Sequence, residues 1–217
     1  MDILLDKVKV RIPSTAQSPG RQLFSISQLK IESGERVVIQ GPSGLGKTTL
    51  LHLIAGLFAP DEGSVHLGGI DINRLSENER SQMRRQKMSI VFQRLNLISH
   101  LNALENVVVA MNSDKPDRET AEKALKRLKM LEHASTLAGN LSLGEQQRVA
   151  VARVLAVSPK LVLADEPTSS LDDANAAAVC DALFNIPKDA TLVVVSHDHR
   201  IAKRFPRVID FESLVKK

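Results

Sequence analysis

The sequence contains neither tryptophan nor tyrosine, and its aromatic side chains are six phenylalanines and six histidines. Any function that requires an indole or a phenol is therefore excluded, and a base-stacking surface would have to use phenylalanine, histidine or arginine. The single cysteine, Cys180, excludes an intrachain disulfide and is typical of a reducing compartment.

Long hydrophobic runs are also lacking. The densest one, residues 149–157, is interrupted by Arg153 and is far shorter than the roughly 18 residues that span a bilayer. Residues 1–11 show no basic segment followed by an apolar run, so we expect no signal peptide. These features predict a cytoplasmic protein that reaches a membrane only through a partner.

The chain has 217 residues, of which 43% are hydrophobic and 25% charged, so it can bury a sizeable core and is not disordered. Its net charge of +4 is mildly basic. The densest basic patch, residues 80–87, is interpreted as the solvated face of a helix because a nucleic-acid binder usually concentrates its charge. We therefore expect no nucleic-acid partner.

Short runs rich in Val, Ile and Leu predict the strands, at residues 36–40, 89–92, 161–164, 192–195 and 208–211. Such continuous runs are typical of strands that helices cover on both faces. Helical patterns at 47–57 and 118–131 favour an α/β fold with a parallel sheet. Residues 104–111 fit a strand or a helix, and the polar, helix-rich stretch 94–152 is predicted to be an insertion.

Residues 41–48 match the phosphate-loop pattern G-x-x-x-x-G-K-[ST], between a predicted strand and a predicted helix. Glycines let backbone N–H groups converge on a phosphate, and the helix N-terminus adds partial positive charge. Lys47 would reach the β- and γ-phosphates, and the Thr48 hydroxyl would ligate Mg²⁺. The predicted nucleotide-binding residues here are Gly41, Pro42, Ser43, Gly44, Leu45, Gly46, Lys47, Thr48 and Thr49.

Polar side chains follow three of the predicted strands. Asp165 and Glu166 end the run 161–164, and Gln93 and His197 end two others. Ligands bind at the carboxyl edge of a parallel sheet, so we expect these groups to converge on one nucleotide. Asp165 would hold Mg²⁺ through water, and Glu166 would polarise the attacking water.

Residues 141–148, with the sequence LSLGEQQR, place Ser142 three residues before Glu145. This spacing predicts a capping box at a helix start. One interpretation is simply a well-capped helix. The other is a second anion site, because a helix N-terminus also binds phosphate.

Taken together, these motifs resemble those of the ATP-binding cassette (ABC) ATPases, in the same order and over about residues 20–200. The phosphate loop is the Walker A motif of that family, residues 141–145 its signature and 161–166 its Walker B motif. The stretches 92–93, 103–107, 145–150 and 164–168 are similar to the LolD/MacB/FtsE-type subfamily.

The resemblance implies an α/β fold: a P-loop NTPase (RecA-like) core with an antiparallel β subdomain and an inserted α-helical signature subdomain. It implies a single ABC ATPase domain over residues 1–217. The core would comprise residues 1–93 and 153–217, and the helical subdomain about 94–152.

The resemblance also implies a homodimer that binds ATP and Mg²⁺, each ATP lying between the phosphate loop of one copy and the signature of the other. Glu166 would be the general base, and His197 would contact the γ-phosphate. The other implied residues are Thr48, Gln93 and Asp165 at the metal, Ser142, Gly144 and Glu145 at the partner's nucleotide, and Asp172 in communication across the dimer.

In that family the ATPase serves an integral membrane, permease-like subunit, whose coupling helix would lie in the groove near residues 93–106. The implied location is peripheral, on the inner face of the cell membrane. The same motifs allow an alternative function, in which ATP cycling regulates a cell-envelope membrane partner without solute transport. The spanning topology of the partner distinguishes the two.

Three positions depart from the family pattern. Leu143 replaces a glycine of the signature, and Leu45 replaces a usually small residue of the phosphate loop. The family also places an aromatic residue before the loop to stack on adenine, but the corresponding residues 15–18, with Gln17 nearest, contain none. Phe24 lies closer to the loop and is predicted to be a core residue. We therefore predict weak discrimination between ATP and GTP.

Overall fold

The computed structural model describes residues 1–12, 20–111 and 117–215. The strands are β1 (Ile3–Ile12), β2 (Arg21–Ile31), β3 (Arg36–Gln40), β4 (Glu62–Leu67), β5 (Ile70–Asp71), β6 (Met88–Val91), β7 (Leu161–Asp165), β8 (Thr191–Ser196) and β9 (Arg207–Asp210). The helices are α1 (Lys47–Ile54), α2 (Glu77–Lys87), α3 (Ala103–Ala110), α4 (Arg118–Arg127), α5 (Leu143–Val157), α6 (Asp173–Phe184), α7 (His199–Ala202) and α8 (Phe211–Leu214).

The centre of the molecule is a five-stranded parallel sheet in the order β6-β7-β8-β3-β9. Successive residues of its strands enter opposite cores: Leu161 and Leu163 face the core shared with β1, β2 and α1, whereas Val162 and Ala164 face the core shared with α3 to α6. Burial on both faces explains the continuous apolar runs. The strands predicted at 36–40, 89–92, 161–164 and 192–195 are confirmed within one residue. The strand predicted at 208–211 is β9, which ends one residue earlier because Asp210 caps α8.

An antiparallel sheet in the order β2-β1-β4-β5 covers one side of this core. Phe24 of β2 is fully buried there and packs edge-to-face on Phe211, with ring centroids 5.8 Å apart. The prediction that Phe24 belongs to the core is confirmed. Strands β4 and β5 were not predicted, because β4 begins with Glu62 and Gly63 and has only a short apolar alternation, and β5 is only two residues long.

The segment between β6 and β7 is helical. Residues 103–110 form helix α3, which resolves the ambiguity in that stretch: Asn102 and Glu105 make a capping box, and this local start signal prevails over the β-branched Val107 and its neighbours. Helix α5 runs through residue 152, the predicted boundary of the insertion, and continues to Val157.

Two polar side chains fix the loop that enters this helical segment. Arg153, which interrupts the apolar run of α5, donates to the carbonyls of Asn106 and Asn96. The Asn106 side chain is fully buried; it accepts from the N–H of Ile98 and donates to the carbonyls of Ile98, Leu101 and Asn102. These bonds hold residues 96–102 against α3.

Across the ranges that the structure describes, no helix is long and apolar enough to cross a membrane.

Replacing Asn106 by alanine is expected to lower the free energy of unfolding by about 2–3 kcal/mol, because the half-buried N–H of Ile98 and its neighbouring carbonyls lose their partner. Urea denaturation measures this. The matched control is Asn185→Ala, since Asn185 is exposed and donates only to Asp181 O within its own helix; its effect should stay below about 1 kcal/mol. Equal losses in both variants would contradict the structural role assigned to Asn106.

Candidate active site

The loop of residues 41–46 connects β3 to α1, and α1 begins at Lys47 as predicted. Gly41, Gly44 and Gly46 have positive φ angles of 155°, 83° and 107°. A Cβ atom on Gly46 would lie 2.9 Å from a ring carbon of the buried Phe24, so only glycine fits there. The end of the loop therefore packs closely on β2.

Lys47 is 6% exposed, and its ammonium donates to the carbonyls of Gly41 (2.6 Å) and Pro42 (2.8 Å). Burial lowers the pKa of Lys47, and the nearby carboxylates of Glu166 and Asp165 oppose this shift. The Lys47 ammonium therefore binds the backbone of the phosphate loop. Phosphate oxygens are stronger acceptors than these carbonyls and would compete for it.

The sheet order brings the predicted strand-end residues together. β7 lies between β6 and β8, and Asp165 is in register with Val195, two residues before His197. Gln93 follows β6 and lines the same cavity as the phosphate loop and Glu166. These side chains therefore lie at the same edge of the sheet, and their convergence on one nucleotide stays a prediction.

Glu166 is held in an unusual backbone conformation with a φ of 47°, in the left-handed region. Such a conformation costs about 1–3 kcal/mol outside glycine. Its carboxylate accepts from Ser196 Oγ (2.8 Å) and His197 N (3.1 Å), and its Oε1 lies 2.7 Å from His197 Nδ1. No local sequence signal predicts this direct pairing of Glu166 with His197, because the two residues are 31 positions apart.

Asp165 is 1% exposed, yet within the described part of the chain neither of its carboxylate oxygens accepts a hydrogen bond of standard geometry. Burial raises the pKa of Asp165, while the neighbouring Thr48 hydroxyl and Lys47 ammonium oppose the shift. A buried carboxylate without a donor is costly unless it faces a cation or the water around one. Asp165 and Thr48 therefore fit the oxygen ligands that Mg²⁺ prefers.

A cavity of about 460 Å³ lies beside the phosphate loop and Glu166. Its lining includes the phosphate-loop residues Ser43, Gly44, Gly46 and Lys47 together with Thr48, Thr49, Gln93 and Glu166. It also includes Val10, Arg11, Ile12, Leu23 and Phe58. Phe58 lies after the end of α1 and lines the cavity. No motif or periodicity around it predicts that a ligand would contact it. Residues 15–18, the predicted adenine-facing segment, are outside the described residues.

The signature residues form the capping box that was predicted. Ser142 is the N-cap of α5; its N–H donates to Glu145 Oε2 at 2.8 Å, and the bonds from Ser142 lower the pKa of Glu145. Leu143 lies in the first helical turn, where leucine is allowed, and is 58% exposed. A Cβ on Gly144 would lie 3.1 Å from Leu171 Cδ2, so the helix start packs closely on the segment after Glu166.

The structure does not bring the signature to the phosphate loop. None of the described residues that line the cavity belongs to the segment 141–145, and Asp172 is not among them. Asp172 instead caps α6, where it accepts from the N–H of Asn175. Within one copy, the signature segment therefore lies apart from the described lining of the cavity.

Replacing Gly46 by alanine is expected to lower the free energy of unfolding by about 2–3 kcal/mol, because the new methyl group meets the Phe24 ring. Gly44→Ala is the matched control: its φ is also positive, but no atom lies within 4 Å of the added Cβ. That variant should lose only about 1 kcal/mol, the conformational cost of alanine. Thermal unfolding without nucleotide measures both, and equal losses would rule out the contact with Phe24.

Comparison with known proteins agrees with this geometry. The family model of the ABC transporter matches residues 24–169. The lipoprotein-releasing system ATP-binding protein LolD of Legionella pneumophila (strain Paris) is 42% identical over 187 residues, which cover 83% of this chain and 82% of that protein. LolD of Buchnera aphidicola subsp. Schizaphis graminum is 39% identical over 199 residues, covering 89% and 86%.

Two solved structures have the same fold. The dimeric structure of MJ0796, a bacterial ABC transporter cassette, superposes with a TM-score of 0.88 at 36% identity and covers 96% of this chain and 93% of that one. A dimeric post-hydrolysis state of MJ0796 bound to ADP and Pi gives a TM-score of 0.87 at 35% identity, with the same coverage. The predicted P-loop NTPase core with an antiparallel β sheet and inserted helices is confirmed. The chain therefore belongs to the ABC transporter family and is an ATP-binding cassette of the LolD type.

Proposed function

We propose that this chain hydrolyses ATP with Mg²⁺ as a homodimer and so drives a conformational change in a separate membrane subunit. One observation carries the proposal: the phosphate loop, Gln93, Glu166 and His197 meet at one sheet edge, beside the buried, donor-free Asp165. A nucleotide phosphate chain and its cation supply what these groups lack.

The proposed chemistry is in-line attack of water on the γ-phosphate. Thr48, Gln93 and Asp165 would hold Mg²⁺, which neutralises charge that develops on the phosphate oxygens. Lys47 would exchange its two carbonyl acceptors for phosphate oxygens. Glu166 would orient the water and accept its proton, while His197 would keep the carboxylate in place and contact the γ-phosphate.

The proposed homodimer follows from the separation between the signature and the cavity. In this copy, Ser142, Gly144 and Glu145 start α5 away from the cavity, and the exposed Leu143 lies between them. A helix N-terminus is suited to hold the γ-phosphate of an ATP bound to the second copy. ATP would close such a dimer only because it binds the closed state better than the open one. Asp172 would report that closure across the interface.

The membrane partner is proposed from the LolD relatives, which are named for a lipoprotein-releasing system. We propose that a cytoplasmic helix of a permease-like subunit docks near residues 93–106 and holds this chain at the inner face of the membrane. Asn106 and Arg153 support the proposal, because they make that segment a rigid link between Gln93 and the helices of the insertion.

Glu166→Gln is expected to reduce ATP hydrolysis by at least about 100-fold, the usual contribution of a general base, while ATP binding is kept. Because ATP then persists, size-exclusion chromatography in MgATP should show a dimer. Glu212→Gln, an exposed carboxylate at the start of α8, is the matched control and should hydrolyse like the wild type. A wild type without MgATP hydrolysis or ATP-driven dimerisation, together with a monomeric Glu166→Gln in ATP, would refute the proposal.

Base discrimination is expected to be weak, with ATP and GTP binding constants within about tenfold of each other. Apart from residues 43–49, Gln93 and Glu166, the described lining of the cavity consists of Val10, Arg11, Ile12, Leu23 and Phe58. Arg11 is the one polar side chain in this set, so few groups can read a base edge. Competition of both nucleotides against a fluorescent ATP analogue measures the ratio. Phe58→Leu should weaken the binding of both nucleotides alike, because the Phe58 ring lines the cavity and would stack on either base. A strong preference for ATP would contradict this prediction.

A further inference from the structure

Helix α5 touches the segment after β7 at two places. One is the close approach of Gly144 to Ser170 and Leu171. The other is a buried hydrogen bond three residues along the helix: Gln147, only 3% exposed, donates from Nε2 to the carbonyl oxygen of Glu166 at 2.9 Å. The signature helix is thus bonded to the backbone of the proposed general base.

The carbonyl oxygen of Glu166 accepts three hydrogen bonds from two residues, Gln147 and Ser169. Besides Gln147, it accepts from Ser169 Oγ at 3.2 Å and from Ser169 N at 3.3 Å. Its direction depends on the left-handed conformation of Glu166, since rotation of that residue into an ordinary conformation would turn the carbonyl away from these donors. The bond from Gln147 therefore favours the backbone conformation that aims the Glu166 carboxylate at Ser196 and His197.

Within the described residues, the side-chain amide of Gln147 donates a hydrogen bond but accepts none. Its Oε1 is buried and accepts no hydrogen bond from any residue described in the structure. An unmet buried acceptor is destabilising, and an apolar side chain of the same length would avoid it. A purely structural position would gain from such a side chain, so the donor itself is the feature that explains glutamine here.

We infer that Gln147 is a positioning residue, which transmits the position of the α5 N-terminus to the carboxylate of Glu166. The inference rests on the proposed function, in which Ser142 and Gly144 contact ATP held by the second copy. Movement of α5 when that ATP is bound would then shift Glu166 through the hydrogen bond from Gln147. Hydrolysis in one copy would in this way depend on closure of the dimer by the other copy.

The test is Gln147→Met, which keeps the length and volume of the side chain and removes the donor. We expect kcat to fall by roughly 10- to 100-fold, the loss typical of a misplaced catalytic group, with KM and nucleotide affinity within about threefold of wild type. Amide hydrogen exchange of the peptide covering residues 165–171 should become at least about threefold faster without nucleotide.

Two controls separate positioning from stability. Gln146→Met alters the neighbouring glutamine, which donates only to Leu141 O in the adjoining turn, and should keep wild-type kcat and exchange. Val154→Ala leaves a cavity in the same helix, two turns further from Glu166, and should lower the melting temperature without lowering kcat. Equal loss of kcat in Val154→Ala and Gln147→Met at equal melting temperature would overturn the inference.

The two proposals fail in different ways. A wild type that does not hydrolyse ATP refutes the proposed function, whereas the exchange measurement still reports whether Gln147 holds the segment after β7. An active wild type with unchanged kcat and unchanged exchange in Gln147→Met refutes the inference alone. A rise in KM with constant kcat would also overturn it, because that result assigns Gln147 to ground-state binding.

Discussion

The parallel register of the central sheet is the constraint on which the rest of the site depends. All five strands end at the same edge, and β7 lies beside both β6 and β8. A carboxylate pair, a glutamine and a histidine from distant parts of the sequence therefore meet without long side-chain excursions. The same register buries each strand on both faces, which requires helices above and below and explains the apolar runs.

The sequence was informative where the signal is local. Strand β7, the loop of residues 41–46 and the capping box of Ser142 each depend on a few consecutive residues whose chemistry limits their conformation. Residues 104–111 were ambiguous because their β-branched composition and the capping signal of Asn102 point in opposite directions. The structure shows that the capping bonds and the burial of α3 decide the outcome.

The parts that could not be predicted depend on tertiary placement. Phe58 reaches the cavity because of where α1 ends, and the bonds of Glu166 with His197 and Gln147 join residues 31 and 19 positions apart. No periodicity or motif encodes such distances. The sequence also could not predict that the two leucines that depart from the family pattern have different environments. Leu45 is partly buried against the core, whereas Leu143 is exposed.

The unmatched carboxylate of Asp165 links the stability of the fold to its environment. Burial of that charge opposes folding, and a cation bound at the same edge would offset this cost only in the folded state. Occupancy is then part of the folding equilibrium: a ligand at 100 times its dissociation constant adds about 2.7 kcal/mol to the folded state. The free energy of unfolding would accordingly rise with the concentration of a cation that binds at this edge.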